Sequence, residues 1–123
     1  MSAEDLTVAR EFLDVLAAAA STGERDANYG LLAHDVVWLT PMRGLVGLDE
    51  VRTRLEWLRP PATLDVEFAE PELTDLGDGH IVSDVREVYR MKGSGDFAYH
   101  RDRRIDLTVR DGRIARYEMR VVG

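Results

Sequence analysis

The chain has 123 residues, 45% of them hydrophobic, with 10 glycines and 4 prolines, which suits one folded domain over residues 1–123 and excludes a disordered or fibrous chain. Sixteen Lys and Arg against 23 Asp and Glu leave a formal charge of -7, and no basic run interleaved with aromatics interrupts it, so neither nucleic acid nor a membrane surface is expected as a partner. Cysteine is absent, which removes disulfides, thiol nucleophiles and cysteine metal sites.

The opening MSAEDLTVAR is acidic where a signal peptide would be basic, and no apolar run approaches the roughly 20 residues a membrane helix needs, so a soluble, cytoplasmic protein is expected. Leu6, Ala9, Leu13, Leu16, Ala17 and Ala20 recur at helical spacing, with Phe12 at the edge of the stripe and Arg10, Glu11 and Asp14 opposite. They predict a helix over about 3–20, with Ser2 as N-cap and Gly23 as its stop. A second helix over about 24–33 turns Tyr29 and Leu32 inward. DVVWLTP then reads as a β-branched strand ended by Pro41. GLDEVRTRLEWLRPP predicts a third helix carrying Val51, Leu55 and Leu58 on one side and terminated by its double proline.

From Leu64 the hydrophobic period changes. The turn signals LGDGH, KGSGD and RDGR divide the remainder into four strands of an antiparallel meander, and Pro71 marks the first of these as an edge strand or a bulged one. The order of elements is that of an α+β domain.

The charged run Arg101 to Arg104 inside the third of those strands tests the register, because directly opposed cross-strand pairs favour unlike charges. Pairing Met91 with Phe97 sets Arg86 against Asp102, Asp84 against Arg104 and Glu87 against Arg101; a slip of one residue either way opposes two arginines. In the next hairpin a three-residue loop with Gly112 as a left-handed bulge residue sets Asp106 against Arg116, Arg104 against Glu118 and Asp102 against Arg120. A two-residue turn would oppose Arg103 to Arg120. The two registers interlock into charged rows on one face, leaving Asp102 and Arg104 pointing to solvent.

Alternation then fills the opposite face. It carries Ile81, Ser83, Val85, Glu87, Tyr89 and Met91, then Phe97, Tyr99, Arg101, Arg103, Ile105, Leu107 and Val109, then Ala115, Tyr117, Met119 and Val121. Helices must cover this face, so Arg101 and Arg103 are expected beneath them with Glu87, where they need partners. Two readings of that trio stand. In the functional one, Glu87 acts as an acid/base carboxylate with Arg101, or Arg103 provides an arginine site for an anionic or enolate-like group; in the other, the charges satisfy one another as a structural pair. Trp38, Thr40, Tyr89, Tyr99, Tyr117 and Met119 would line the same space, or pack as core. His34, His80 and His100 have no metal-ligand spacing, and no cofactor or metal is expected.

The helix-rich first half, the DVVW strand with its following proline, the GLDEV helix start and the closing DGRIARYEM resemble a cone-shaped α+β family. It includes nuclear transport factor two, ketosteroid isomerase, limonene epoxide hydrolase and the SnoaL-like polyketide cyclases. The resemblance implies a curved antiparallel sheet wrapped around three N-terminal helices, a pocket for a small-molecule ligand opening at one end, and a homodimer. It implies cofactor-independent isomerase, cyclase or hydrolase chemistry on a small apolar carbonyl, enol or epoxide compound, or ligand binding without turnover. The isomerase-like tyrosine and two aspartates correspond to Phe12, Thr40 and Ile105, so none is kept. The epoxide-hydrolase-like Arg and two Asp correspond to Val85, Glu87 and Met119, so only the acid at Glu87 is kept; that family's tyrosine and asparagine correspond to Trp38 and Thr40.

Overall fold

A computed structural model describes residues 2–22, 26–57 and 62–122. Its elements are α1 (Ser2–Thr22), α2 (Asp26–Leu31), β1 (Leu32–Thr40), β2 (Arg43–Val46), α3 (Leu48–Trp57), β3 (Leu64–Gly77), β4 (His80–Met91), β5 (Phe97–Arg110) and β6 (Arg113–Val121). Gly23, Leu58, Pro60 and Pro61, the expected helix ends and one expected apolar contact, lie outside the described residues.

The six strands form one sheet in the order β2-β1-β6-β5-β4-β3, antiparallel throughout except where β1 runs parallel to β6. The meander is as expected. Strand β2 is an addition: four residues containing Gly44 carry no alternation of their own and pair with β1 across a tight turn at Pro41 and Met42. Ser2 lies inside α1 rather than ahead of it, and Leu32 opens β1 rather than closing α2. Pro71 satisfies both of its expected roles, because β3 is an edge strand and its register shifts between Ala69 and Glu72.

Helix α1 lays its apolar stripe on the sheet. Phe12 and Leu13 are fully buried with Ala9, so the stripe is centred on Phe12 rather than edged by it. They join Val36, Val51, Ile81, Val85, Ile105, Leu107 and Ile114 in one core between helices and sheet. Each such side chain contributes roughly 1.5–3 kcal/mol by leaving water, which identifies this layer as the main stabilising feature. The β3–β4 turn is tied to the same sheet: Gly79 sits at φ 78°, its carbonyl accepts from the Val109 amide at 2.8 Å, and a Cβ there would lie 2.2 Å from the Val109 carbonyl oxygen. Only glycine fits both the backbone angle and the approach.

The β4–β5 register is the one the charges select, with Asp84 opposite Arg104, Arg86 opposite Asp102 and Glu87 opposite Arg101. It changes at the loop end. Ala98 is an extra residue in β5, so Phe97 faces Arg90 instead of Met91 and its ring lies 6.3 Å from that of His100. The bulge thereby turns Phe97 from the expected inner face to the outer one.

The β5–β6 register differs from expectation by two residues. Asp111 (φ 54°) and Gly112 (φ 75°) form a two-residue turn with both central residues left-handed, and the extra residue is Ala115 within β6. Asp-Gly is a favoured dipeptide for such a turn, and the bulge restores the face that the two-residue turn alone would have inverted. Arg104 therefore faces Arg120, and Asp106 faces Glu118. These like charges are relieved by other neighbours: Arg120 Nη2 lies 2.5 Å from Asp106 Oδ2, diagonally across the strands, and Arg116 Nη2 lies 3.0 Å from Glu118 Oε1 along β6 itself. Diagonal neighbours are within reach of long side chains, and single exposed pairs are weak, so turn chemistry outweighs direct charge opposition.

Candidate functional site

The helix-facing side of the sheet is graded along β5. Val109, Leu107 and Ile105 are buried, Arg103 is largely covered, and Arg101 and Tyr99 are exposed. The cause is geometric: β5 runs 14 residues, roughly 45 Å at about 3.3 Å each, and its loop-proximal third is not covered among the described residues. Arg101, expected beneath the helices, is therefore open to solvent although it occupies the expected face.

The polar pair at the boundary is Glu87 with Arg103. Arg103 lies opposite Val85 on β4, so it reaches Glu87 diagonally, its Nε donating to Glu87 Oε1. Arg101, directly opposite Glu87, makes no ion pair among the described residues; its guanidinium carbon stands 5.8 and 5.7 Å from the ring centroids of Tyr89 and Tyr99. Those rings are stacked at 4.4 Å, which supplies a cation–π bed for the arginine. Arg103 and Glu87 keep only 15% and 12% of their side-chain surface. Arg103 Nη1 also donates to Met119 Sδ at 3.0 Å, a weak acceptor.

Electrostatics favour a fully charged Arg103. Burial lowers its pKa, but the hydrogen bond and charge of Glu87 outweigh that loss and raise it overall. The Tyr89 hydroxyl is pushed up by burial and then by Glu87, against the opposing arginines. Burial pushes Tyr117 up further still, so both phenols are neutral donors at ordinary pH.

Among the described residues, Glu87 Oε2 and Arg103 Nη2 have no protein hydrogen-bond partner. A carboxylate oxygen and a guanidinium edge are thus free side by side, an arrangement able to accept a proton and to hold an oxygen that gains negative charge.

The remaining expected residues are placed differently. Trp38 and Tyr117 are buried and stack on each other at 3.9 Å, with Phe12 edge-on to both at 6.1 and 6.0 Å. They form the floor of the core. Thr40 is half-buried and its hydroxyl donates to the Arg43 carbonyl at 3.3 Å, which serves the β1–β2 turn. Tyr89 is buried and Tyr99 is 38% exposed. Met42 is 92% exposed, and Arg52 stands 4.6 Å over the buried ring of Tyr29.

Two polar residues were not singled out by the sequence. Ser83 is 1% exposed in the core, and its hydroxyl has no partner among the described residues. Asp106, expected to face water, is on the outer face but only 8% exposed, covered by Arg120 and by His80, whose Nε2 is 3.6 Å away. The flanking long side chains were the available signal. A hollow on that outer face is bordered by Glu72 and by the paired Asp84, Arg86, Asp102 and Arg104. Its Arg86–Asp102 and Arg104–Asp84 bonds, at 2.8 and 3.0 Å, leave those charges mutually occupied.

No protein-family model and no curated relative matches the sequence. Solved structures do. An NTF2-like protein from Anabaena variabilis superposes with a TM-score of 0.77 at 16% identity, over 98% of this chain and 90% of that one. A candidate polyketide cyclase from Xanthomonas campestris gives 0.71 at 18% identity, over 94% and 88%. A ketosteroid isomerase-like fold from Catenulispora acidiphila, in complex with trimethylamine, gives 0.65 at 18% identity, over 89% and 84%. The chain therefore has the nuclear transport factor two-like, or SnoaL-like, α+β fold expected from its sequence. No helix among the described residues is long and apolar enough to cross a membrane.

Proposed function

We propose that the chain is a SnoaL-like pocket protein that receives a small, mainly apolar molecule on the helix-facing side of its sheet and acts on it by proton transfer at Glu87. The observation carrying this reading is the Glu87–Arg103 pair, largely covered yet with Oε2 and Nη2 free of protein partners. In this reading Arg103 binds the oxygen of a carbonyl, enol or epoxide. Glu87 Oε2 takes a proton from the adjacent carbon of a carbonyl or epoxide, or from the hydroxyl of an enol, and returns it to another atom of the same molecule, so no cofactor is consumed. Arg103 stabilises the oxyanion formed between the two transfers. A homodimer of the kind implied by the resemblance would complete the assembly.

One observation favours a second reading, ligand binding without turnover. Arg103 Nε donates directly to Glu87 Oε1, so the two charges satisfy one another as a structural pair and one carboxylate oxygen is already committed. The experiment is a screen of small carbonyl, enol and epoxide compounds against the parent, Glu87→Gln and Arg103→Met proteins, scoring affinity and turnover separately. The catalytic reading expects Glu87→Gln to keep affinity and lose turnover by about 100-fold or more. Affinity for a ligand that the parent never converts, lost in Arg103→Met, establishes the second reading instead.

A further inference from the structure

Charge is unevenly spent on this site. The chain as a whole carries -7, yet its helix-facing charged cluster holds two guanidinium groups and one carboxylate. Glu87 is committed to Arg103 through Oε1, and among the described residues Arg101 has no carboxylate within ion-pair distance. What holds Arg101 is the pair of stacked tyrosine rings, and a cation–π contact leaves the N–H groups around the guanidinium rim available. Arg103 retains Nη2. The two arginines are alternate residues of one strand on one face, which places their Cα atoms roughly 6.5–7 Å apart, close enough for both side chains to serve one group.

From this geometry we infer that the ligand is an organic monocarboxylate whose carboxyl group supplies the oxygen that the pocket reading sets at Arg103 Nη2, with Arg101 presenting its fork to the same carboxylate and the apolar body lying toward Met119 and the covered end of the face. The inference rests on the pocket reading above and names the ligand class. One surplus positive charge matches one carboxylate. A phosphate dianion would exceed it and would stand against Glu87. A guanidinium presents a planar fork that fits a carboxylate in two parallel hydrogen bonds, and the Tyr89 and Tyr99 rings, 5.8 and 5.7 Å from the Arg101 guanidinium carbon, attract the cation without using those N–H groups. Exposure of Arg101 makes it the first charge met by an entering anion, and the partly covered Arg103 the second.

Matched pairs of acid and amide test this: benzoate with benzamide, 1-naphthoate with 1-naphthamide, hexanoate with hexanamide, and phenyl phosphate as the dianion. Each is titrated into the full chain and followed by nuclear magnetic resonance at the backbone amides and arginine Nε–H groups. At least one carboxylate is expected to bind about tenfold or more tighter than its amide, with shifts centred on Arg101 and Arg103. Arg101→Met should cut that preference to about twofold while leaving the unfolding midpoint in place, since Arg101 is exposed. An amide binding as tightly as its acid at these residues overturns the carboxylate assignment and leaves the pocket reading standing. Phenyl phosphate binding tighter than every carboxylate overturns it in favour of a phosphate ester. A panel in which no compound shifts Arg101, Arg103 or Glu87, or shifts only outer-face residues, overturns this assignment; whether the pocket reading falls with it is decided by the screen of neutral carbonyl, enol and epoxide compounds.

Discussion

The two ends of the helix-facing sheet surface are built from the same strands and serve opposite purposes. At one end Ile81, Ile105, Leu107 and Ile114 are fully buried beside Phe12 and Leu13. At the other, Tyr99 and Arg101 stand open, and Glu87 with Arg103 marks the boundary. Burial of aliphatic area stabilises the first end, whereas the second exposes aromatic and charged groups that a maximally stable sheet would cover. The contrast shows how one continuous strand can serve as core scaffold and as binding surface, separated by a single ion pair.

The largest expected break of this contrast is at the covered end. Leu107→Ala should lower stability by about 2–5 kcal/mol in urea denaturation, because the surrounding core cannot collapse fully into the vacated space. Tyr99→Ala at the open end should cost about 0.5–1.5 kcal/mol, the worth of an aromatic stack, with little cavity term. Equal losses at the two sites would erase the distinction between the ends.

At the boundary, Glu87→Gln or Arg103→Met should each cost about 1–3 kcal/mol, because each leaves a largely covered charge without its partner. The double variant should cost less than the two single losses added, and the shortfall in a double-mutant cycle measures the coupling.

Alkaline pH sharpens the same comparison. Burial raises Tyr117 far above its unfolded value near 10. A raised pKa means that the stabilisation is complete below the unfolded pKa and is lost as pH climbs toward the folded one. Between them the unfolded chain has released the proton that the folded chain retains, so stability should fall by about 1.4 kcal/mol per pH unit from this group alone. Denaturation followed by tyrosinate absorbance should show this slope above about pH 10, and Tyr117→Phe should remove its share.

The smallest effect is expected on the outer face. The Arg86–Asp102 pair lowers the Asp102 pKa through its hydrogen bond, a contribution present above the unfolded aspartate pKa and lost as pH falls through the folded one. Both groups are solvent-exposed, so Arg86→Ala should leave the denaturation midpoint at neutral pH unchanged within error.

Much of this arrangement is legible in the sequence where two constraints agree. Alternation assigned the faces of β4 and β5, opposite charges selected their register, and Pro71 marked the edge strand; all three appear in the structure. The β5–β6 register was not legible from charge, because the Asp111-Gly112 turn and the bulge at Ala115 set it and the charges adapted diagonally. Face could be read but depth could not. Arg101 and Arg103 look alike in an alternating pattern, and only the extent of helical cover makes one open and the other the partner of Glu87. The bulge at Ala98 likewise moved Phe97 across the sheet with no turn residue to announce it.

The most direct measurement is hydrogen exchange at the Nε–H groups of the two arginines in the ligand-free protein. The account predicts that Arg103 Nε–H is protected and shifted downfield, that Glu87→Gln abolishes both features, and that Arg101 Nε–H exchanges like an arginine in water. Equal exchange at the two arginines, or protection at Arg103 that survives Glu87→Gln, would contradict it.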